Sequence, residues 1–248
     1  MRYWYVRSLA ILILVAELAV LLTYFSISLS KLPLSQLASV DSKLFDDNFI
    51  SGLIYSDHTY KVLLSVFVVL QLLTCAAFVV VLNWEKAWGP IFMGLEFACL
   101  LSAFVSWFVL ITIYIDEKGG LKSEHIAGAV VFMCACGFYF GAMIVKLFYT
   151  GKVQTWCEMV TFCVAVLLFV CSVVSGIVFM VSFYDKTVLY GWIYEHASFV
   201  LLIAAHLFLF VTDMLISVTD DRRAAYAQLP FREVRVDYAH LVLRGGEV

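Results

Sequence analysis

The sequence predicts an all-α fold, a polytopic integral membrane protein in which six transmembrane helices form one bundle. Of its 248 residues, 64% are hydrophobic and only 14% are charged, whereas soluble domains are about half apolar and about a quarter charged. The mean hydropathy is +0.98. The apolar residues also fall into six runs, each long enough to supply the roughly 20 residues that cross a hydrocarbon core about 30 Å thick.

These six runs give the predicted helices and leave little chain for anything else. The helices are predicted at residues 8–29, 60–84, 91–115, 125–148, 156–184 and 194–218. Residues 1–218 then form one transmembrane domain, and residues 219–248 form a flexible cytosolic tail. A β-barrel would show segments of about ten strictly alternating residues. The runs are instead nearly unbroken, as at residues 162–174, so helices are favoured.

The first run has an alternative interpretation as a cleaved signal peptide, because Arg2 and Arg7 precede it. Its length exceeds that of a typical signal-peptide core, and no small-residue cleavage site follows closely. We therefore predict a retained first helix. Residues 30–59, which connect the first two helices, form the longest loop and the only one able to make a small lid.

The distribution of basic residues predicts the orientation. Ten of the 16 lysines and arginines, including every arginine, flank the helix ends on the side of the N-terminus. The six on the other side are all lysines, and they are diluted by acidic residues. Because cytoplasmic loops carry the excess of Lys and Arg, both termini are predicted to lie in the cytosol.

Four ionisable residues lie inside predicted helices, and they form the candidate intramembrane polar site: Glu17, Glu96, His206 and Asp213. Such residues are costly in a membrane and usually face the bundle interior. They act either as structural groups bonded to neighbouring helices or as a site for a lipid headgroup or an ion. In helix six, Glu195, His206 and Asp213 fall within about 20° of one line, so this polar face is predicted to point inward.

The histidines predict neither a metal nor a haem site, and no cofactor is expected. His196 and His206 are about 15 Å apart along one helix, too far to share an ion, and His206 has no deep partner for haem ligation. His125, Glu195 and His196 remain as candidates at the outer interface, where folding could bring them together. Gly137 and Gly141 have the spacing that permits close helix packing.

Two sequences in the tail match a sorting pattern, a tyrosine followed three residues later by a bulky hydrophobic residue. They are Tyr226 to Leu229 and Tyr238 to Leu241. Clathrin adaptors can bind this pattern as an extended strand added to a sheet edge. We therefore predict endosomal, lysosomal or plasma-membrane residence, with clathrin adaptors as candidate partners beside membrane lipids. No nucleic-acid partner is expected.

Two segments of the chain contain short patterns of small, aromatic and ionisable residues. In residues 113–132, His125 stands at the start of helix four and is followed by the small pair Gly128-Ala129 and by Phe132. In helix six, residues 194–213 have an acidic opening and an aromatic middle. Both segments resemble the Frag/DRAM/Sfk superfamily of six-helix membrane proteins, although His196 replaces the tryptophan usual in that family. Residues 37–45 lack the proline-serine signature of the lipid-remodelling branch.

The resemblance implies a protein of the damage-regulated autophagy modulator type. Our first hypothesis is therefore a non-enzymatic multi-pass membrane protein that modulates membrane lipid organisation, trafficking or autophagy by recruiting partners. The alternative is a lipid-modifying enzyme, or a lipid or ion transporter, that uses the four intramembrane ionisable residues. A third interpretation is a subunit of a larger membrane complex.

Overall fold

Six long helices make up the computed structural model, which describes residues 4–31, 50, 57–86, 90–112, 123–149, 153–185 and 191–228. They are α1 (Trp4–Lys31), α2 (His58–Lys86), α3 (Pro90–Thr112), α4 (Ser123–Tyr149), α5 (Trp156–Asp185) and α6 (Gly191–Gln228). All six are long and apolar enough to cross a membrane, and the described residues contain no strand. The predicted all-α, six-helix architecture is confirmed.

Local signals set several helix starts. The Asp57 carboxylate accepts hydrogen bonds from the backbone N–H groups of Thr59 and Tyr60 at 2.9 and 3.1 Å, so Asp57 caps α2. At α5, Glu158 accepts from the N–H of Thr155, and Thr155 accepts from the N–H of Glu158. This reciprocal pair is a capping box. Pro90 opens α3 at a position where its missing N–H costs nothing.

The main departure from the predicted bounds lies at the end of α6. The prediction ended this helix at residue 218 and assigned residues 219–248 to a flexible tail, but α6 continues to Gln228. The added segment contains three Ala and two Arg, which favour helix even where the sequence is polar. Residues 229–248 lie outside the described residues.

The packing of the helices leaves an opening between α4 and α5. α6 is the most buried helix and packs against both α1 and α5. By contrast, only 11% of the apolar membrane-spanning part of α5 is buried. α1 also packs on α2, α2 on α3, and α3 on α4. Although α4 and α5 are consecutive in the chain, they do not pack extensively against each other, and α4 meets α6 only narrowly.

Because there are six spans, both ends of the described chain lie at one end of the bundle. We call this the proximal end, and the opposite end, where α4 and α6 begin, the distal end. Ala10, Leu64, Phe78, Trp107, Tyr139, Phe140, Leu209 and Phe210 are among the buried residues that form the core between the helices. The apolar side chains exposed on α5, such as Leu167 and Val170, face outward, where lipid would cover them.

Two glycines allow helices to approach closely, and neither belongs to the pair singled out from the sequence. A Cβ at Gly128 would lie 3.2 Å from Val109 Cγ1 and 3.3 Å from the Ser106 carbonyl, between α4 and α3. A Cβ at Gly176 would lie 3.1 Å from Ser198 Oγ, between α5 and α6. At Gly141 a Cβ would meet nothing within 4 Å, so this glycine makes no close contact.

Candidate functional site

The polar face of α6 points into the bundle, as the helical spacing predicts. Glu195, His206 and Asp213 are all buried. Each of them meets a different part of the protein: Glu195 accepts a hydrogen bond from Ile50, His206 packs on α4, and Asp213 pairs with α1. The face therefore joins several neighbouring segments, and its three residues do not form one site.

Asp213 forms a buried ion pair with Arg7 near the proximal end. Arg7 Nε donates to Asp213 Oδ2 at 2.6 Å, and both side chains are at most 3% exposed. The Arg7 guanidinium also lies 5.9 Å from the centre of the Phe78 ring, within reach of a cation–π interaction. Because the pair joins α1 to α6 and contacts α2, it ties three helices together.

Glu96 is the acceptor of a second buried ion pair, and Lys146 is its donor. Glu96 lies in the second turn of α3 and Lys146 in the last turn of α4. The pair therefore also lies near the proximal end, but it joins α3 to α4, whereas Arg7 and Asp213 join α1 to α6. Both carboxylates were predicted as site residues, but their basic partners were not, because the spacing within one helix does not reveal which helices become neighbours.

Glu17 and His206, the other two predicted site residues, lie nearer the middle of their helices. Glu17 is buried, and its Oε2 atom has no hydrogen-bond partner among the described residues. His206 Nδ1 lies 2.9 Å from the Leu202 carbonyl. Its ring packs on Phe140 and Tyr139, with ring centres 4.8 and 6.2 Å apart. The four predicted residues thus have separate surroundings.

The structure instead contains a large apolar cavity at the opening between α4 and α5. It has a volume of about 680 Å³ and is closed at the back by α6 and the end of α3. Its walls are mostly aliphatic and aromatic, and they include Trp107, Met133, Phe138, Phe169, Ile177, Phe199 and Leu202. None of Glu17, Glu96, His206 and Asp213 lines it.

The cavity extends from the distal end to about the middle of the bundle. Along α4 it is lined from His125 to Phe138, a distance of about 20 Å at 1.5 Å per residue. Along α5 it is lined from Phe169 to Val181, about 18 Å. Half of a bilayer is about 15 Å of hydrocarbon, or about 20–22 Å with the headgroup region. The cavity therefore matches the depth of one leaflet.

The cavity is open toward the outer surface of the bundle. Phe138 on α4 and Ile177 on α5 line it and are 72% and 59% exposed. The serines behind them lie deep in the bundle: Ser172 and Ser198 are each 1% exposed. The mouth of the cavity is thus formed by side chains that face lipid in a membrane-spanning bundle.

Two polar residues lie at the distal rim. His125 and Glu195, both predicted at the outer interface, line the same cavity. Glu195 Oε2 accepts a hydrogen bond of 2.7 Å from the backbone N–H of Ile50, which also lines the cavity. His196, the third predicted residue, does not line it and packs on Phe25 of α1 with ring centres 5.2 Å apart. Adjacent residues on a helix point about 100° apart, which separates His196 from Glu195.

Two serines connect α5 and α6 behind the cavity, and they were not among the residues predicted from the sequence. Ser172 Oγ donates to the Ser198 carbonyl at 2.7 Å, and Ser198 Oγ donates to the Ser172 carbonyl at 3.1 Å. Gly176 lies next to this pair and leaves room for Ser198. Small and hydroxyl residues in membrane helices often mark such interfaces, so their presence in α5 and α6 was the available signal.

The predicted sorting motifs lie mostly beyond the described residues. Tyr226 falls within α6, whose backbone is helical to Gln228, whereas adaptor recognition requires an extended strand. Leu229, Tyr238 and Leu241 are outside the described residues. The first motif would therefore have to unwind before an adaptor could bind it.

Neither a metal cluster nor a relative gives an independent clue to function. Within the described ranges, no group of three or more His, Cys, Asp or Glu side chains could hold a metal ion. No protein-family model, curated protein or solved structure matches this chain. The cavity between α4 and α5 is therefore the candidate functional site on its own geometry.

Proposed function

We propose that this protein is a non-enzymatic multi-pass membrane protein that binds a lipid of its own membrane in the cavity between α4 and α5. In this proposal, it modulates lipid organisation, trafficking or autophagy by recruiting partners in a lipid-dependent way. The main support for this proposal is the apolar cavity of about 680 Å³, whose mouth lies on the outer surface of the bundle. Small-molecule sites in proteins typically measure about 300–1,000 Å³, so the space suits one small lipid.

The surroundings of the ionisable residues favour this proposal over the enzyme or transporter. Asp213 and Glu96 are held in buried ion pairs with Arg7 and Lys146. Breaking such a pair leaves an uncompensated charge inside the bundle, so both pairs have a sufficient structural role. A catalytic or transport site would need these residues to converge on one substrate, and they lie outside the cavity.

The location and partners in this proposal come from the sequence. The resemblance to the Frag/DRAM/Sfk superfamily supports a lysosomal, endosomal or plasma membrane, and the distribution of arginines supports cytosolic termini. The motif from Tyr238 to Leu241 is the better candidate for adaptor binding, because Tyr226 is in a helical segment. A localisation assay on Tyr238→Ala tests this part: we expect the tagged protein to shift toward the cell surface.

The lipid-binding part is tested by filling the cavity. Gly137 lines it, and a Cβ at this position would meet only the Phe169 ring, at 3.9 Å, which is ordinary van der Waals contact. Gly137→Leu should therefore place its side chain in the cavity without forcing helices apart. We expect native mass spectrometry of protein released from nanodiscs to show a bound lipid in the wild type and its loss in Gly137→Leu.

Gly141→Leu is the matched control, one turn further along α4. This position does not line the cavity, and a Cβ there would meet nothing within 4 Å. The control should keep the bound lipid. Equal lipid occupancy in wild type, Gly137→Leu and Gly141→Leu, all with the same thermal stability, would contradict binding in this cavity.

A further inference from the structure

We propose, building on the lipid-binding function above, that the cavity takes its lipid from the leaflet at the distal end and excludes lipid of the proximal leaflet. Phe140 and Phe169 determine this choice, because their rings close the opening between α4 and α5 near the middle of the bundle. The ligand is then a lipid whose polar group lies at the distal interface and whose hydrocarbon chain extends toward these rings. In the predicted orientation, that leaflet is the non-cytosolic one.

The rings of Phe140 and Phe169 form the floor of the cavity. Phe140 belongs to α4 and Phe169 to α5, and their rings stack with centres 4.5 Å apart and an angle of 28° between the planes. Phe140 also meets the His206 ring of α6 edge-on, with ring centres 4.8 Å apart. Although α4 and α5 do not pack extensively against each other, they are therefore in direct contact at this depth.

The lining of the cavity ends at this floor on α4, α5 and α6. Along α4 the lining residue nearest the proximal end is Phe138, two residues before Phe140. Along α5 it is Phe169 itself, and along α6 it is Leu202, one turn before His206. The three helices thus close the cavity at one level.

Core side chains lie on the proximal side of the floor. Met143 and Leu147 follow Phe140 along α4, each is 1% exposed, and both belong to the hydrophobic core. On α5, Phe162 and Leu168 pack against the same core. Within the described residues, the cavity therefore has no continuation toward the proximal end.

The floor also lies near the middle of the membrane-spanning segments. Phe169 is within one residue of the midpoint of the span Trp156–Val181. Phe140 is four residues, about 6 Å, beyond the midpoint of the span Glu124–Phe148. Because each leaflet supplies about half of the hydrocarbon core, the floor separates the depth of the distal leaflet from that of the proximal one.

A lipid of the distal leaflet can occupy the cavity and keep its polar group at its own interface. The mouth at Phe138 and Ile177 lies on the distal side of the floor, and Ile177 is eight residues, about 12 Å, from Phe169. The chains of a proximal-leaflet lipid end near the midplane, on the other side of the floor. Such a lipid reaches the cavity only by carrying its headgroup into the hydrocarbon core, where the headgroup loses its hydrogen bonds to water.

The experiment places a photoreactive lipid in one leaflet of vesicles that contain the full chain in both orientations. The probe is a phosphatidylcholine with a photoreactive group at the end of one acyl chain, added to the outer leaflet by cyclodextrin exchange. Its charged headgroup crosses the hydrocarbon core slowly. A cleavable C-terminal tag follows α6, which ends at the proximal end, so external protease cuts only molecules whose proximal end faces outward. Only the labelling that Gly137→Leu removes is counted as cavity labelling.

We expect molecules with the distal end outward to carry at least about tenfold more cavity labelling than those with the proximal end outward, a ratio that corresponds to about 1.4 kcal/mol. Phe169→Ala removes one ring of the floor, so this ratio should fall below about threefold. Phe169→Leu loses less volume and should lower the ratio in the same direction. Phe138→Ala is the matched control: it removes a cavity-lining phenylalanine at the mouth and should keep the wild-type ratio.

The outcomes separate this inference from the proposed function. Equal cavity labelling in the two orientations of the wild type would overturn leaflet selection and leave lipid binding intact. A wild-type ratio in both Phe169 variants, at wild-type thermal stability, would overturn the role of the floor. Absence of Gly137-dependent labelling in both orientations, with Gly137→Leu as thermally stable as the wild type, would reject the lipid-binding function itself.

Discussion

The proximal and distal halves of the bundle are built differently. In the proximal half, the ion pairs of Arg7 with Asp213 and of Glu96 with Lys146 join α1 to α6 and α3 to α4. In the distal half, α4 and α5 separate around an apolar cavity with Glu195 at its rim. Among the described residues, the proximal half thus contains two buried ion pairs that connect helices, and the distal half has room for a ligand. We expect substitutions in the two halves to lower the free energy of unfolding by different amounts, which decrease in the order given below.

The pair of Arg7 and Asp213 should contribute most. Asp213→Ala removes the carboxylate to which Arg7 donates inside the bundle, and breaking a buried ion pair from one side typically costs about 3–5 kcal/mol. We expect a loss of this size in the free energy of unfolding, measured by SDS titration in mixed micelles. The double variant Arg7→Met, Asp213→Ala should recover much of the loss, because both charges of the pair are then removed. A double variant that is as unstable as the single one would mean that the charges themselves are not coupled.

The pair of Glu96 and Lys146 should contribute less. This pair joins only α3 to α4, whereas Arg7 also lies against Phe78 of α2. In Glu96→Ala we expect a loss of about 1.5–3 kcal/mol, the range for a hydrogen bond between charged groups, in the same titration. A loss larger than that in Asp213→Ala would reverse this ranking.

Close packing in the distal half is tested at Gly128. In Gly128→Ala the new methyl would press on Val109 and on the Ser106 backbone, and such overpacking typically costs about 1–3 kcal/mol. Gly141→Ala, in the same helix, has open space at its Cβ and should change the free energy of unfolding by no more than about 0.5 kcal/mol. Equal effects at the two glycines would contradict the observed contact of α3 with α4.

The serine pair behind the cavity should have the smallest effect. Hydrogen bonds between membrane helices average about 0.6 kcal/mol and reach about 1.7, so Ser198→Ala should cost an amount in this range. Ser172→Ala and the double variant complete a double-mutant cycle. Because each serine donates to the backbone carbonyl of the other, we expect weak coupling. A coupling energy above about 1.7 kcal/mol would indicate that the wall forms as one unit.

The sequence predicted the helices well and the site only in part. Six apolar runs and the inward face of α6 followed from local spacing, and both agree with the structure. His125 and Glu195 were identified as interface candidates, and they line one cavity. Arg7 and Lys146 were not identified as partners of Asp213 and Glu96, because they lie 206 and 50 residues away in the chain.

The sequence by itself determined that this chain crosses a membrane six times. Lipid offers no hydrogen bonds to the backbone, so each long apolar run must satisfy its own N–H and C=O groups as a helix. Only the tertiary structure decided which helices meet, which charges pair and that a cavity lies between α4 and α5. In lipid, the outer surface of each helix can be as apolar as its contacts, so the hydrophobic pattern does not specify its neighbours.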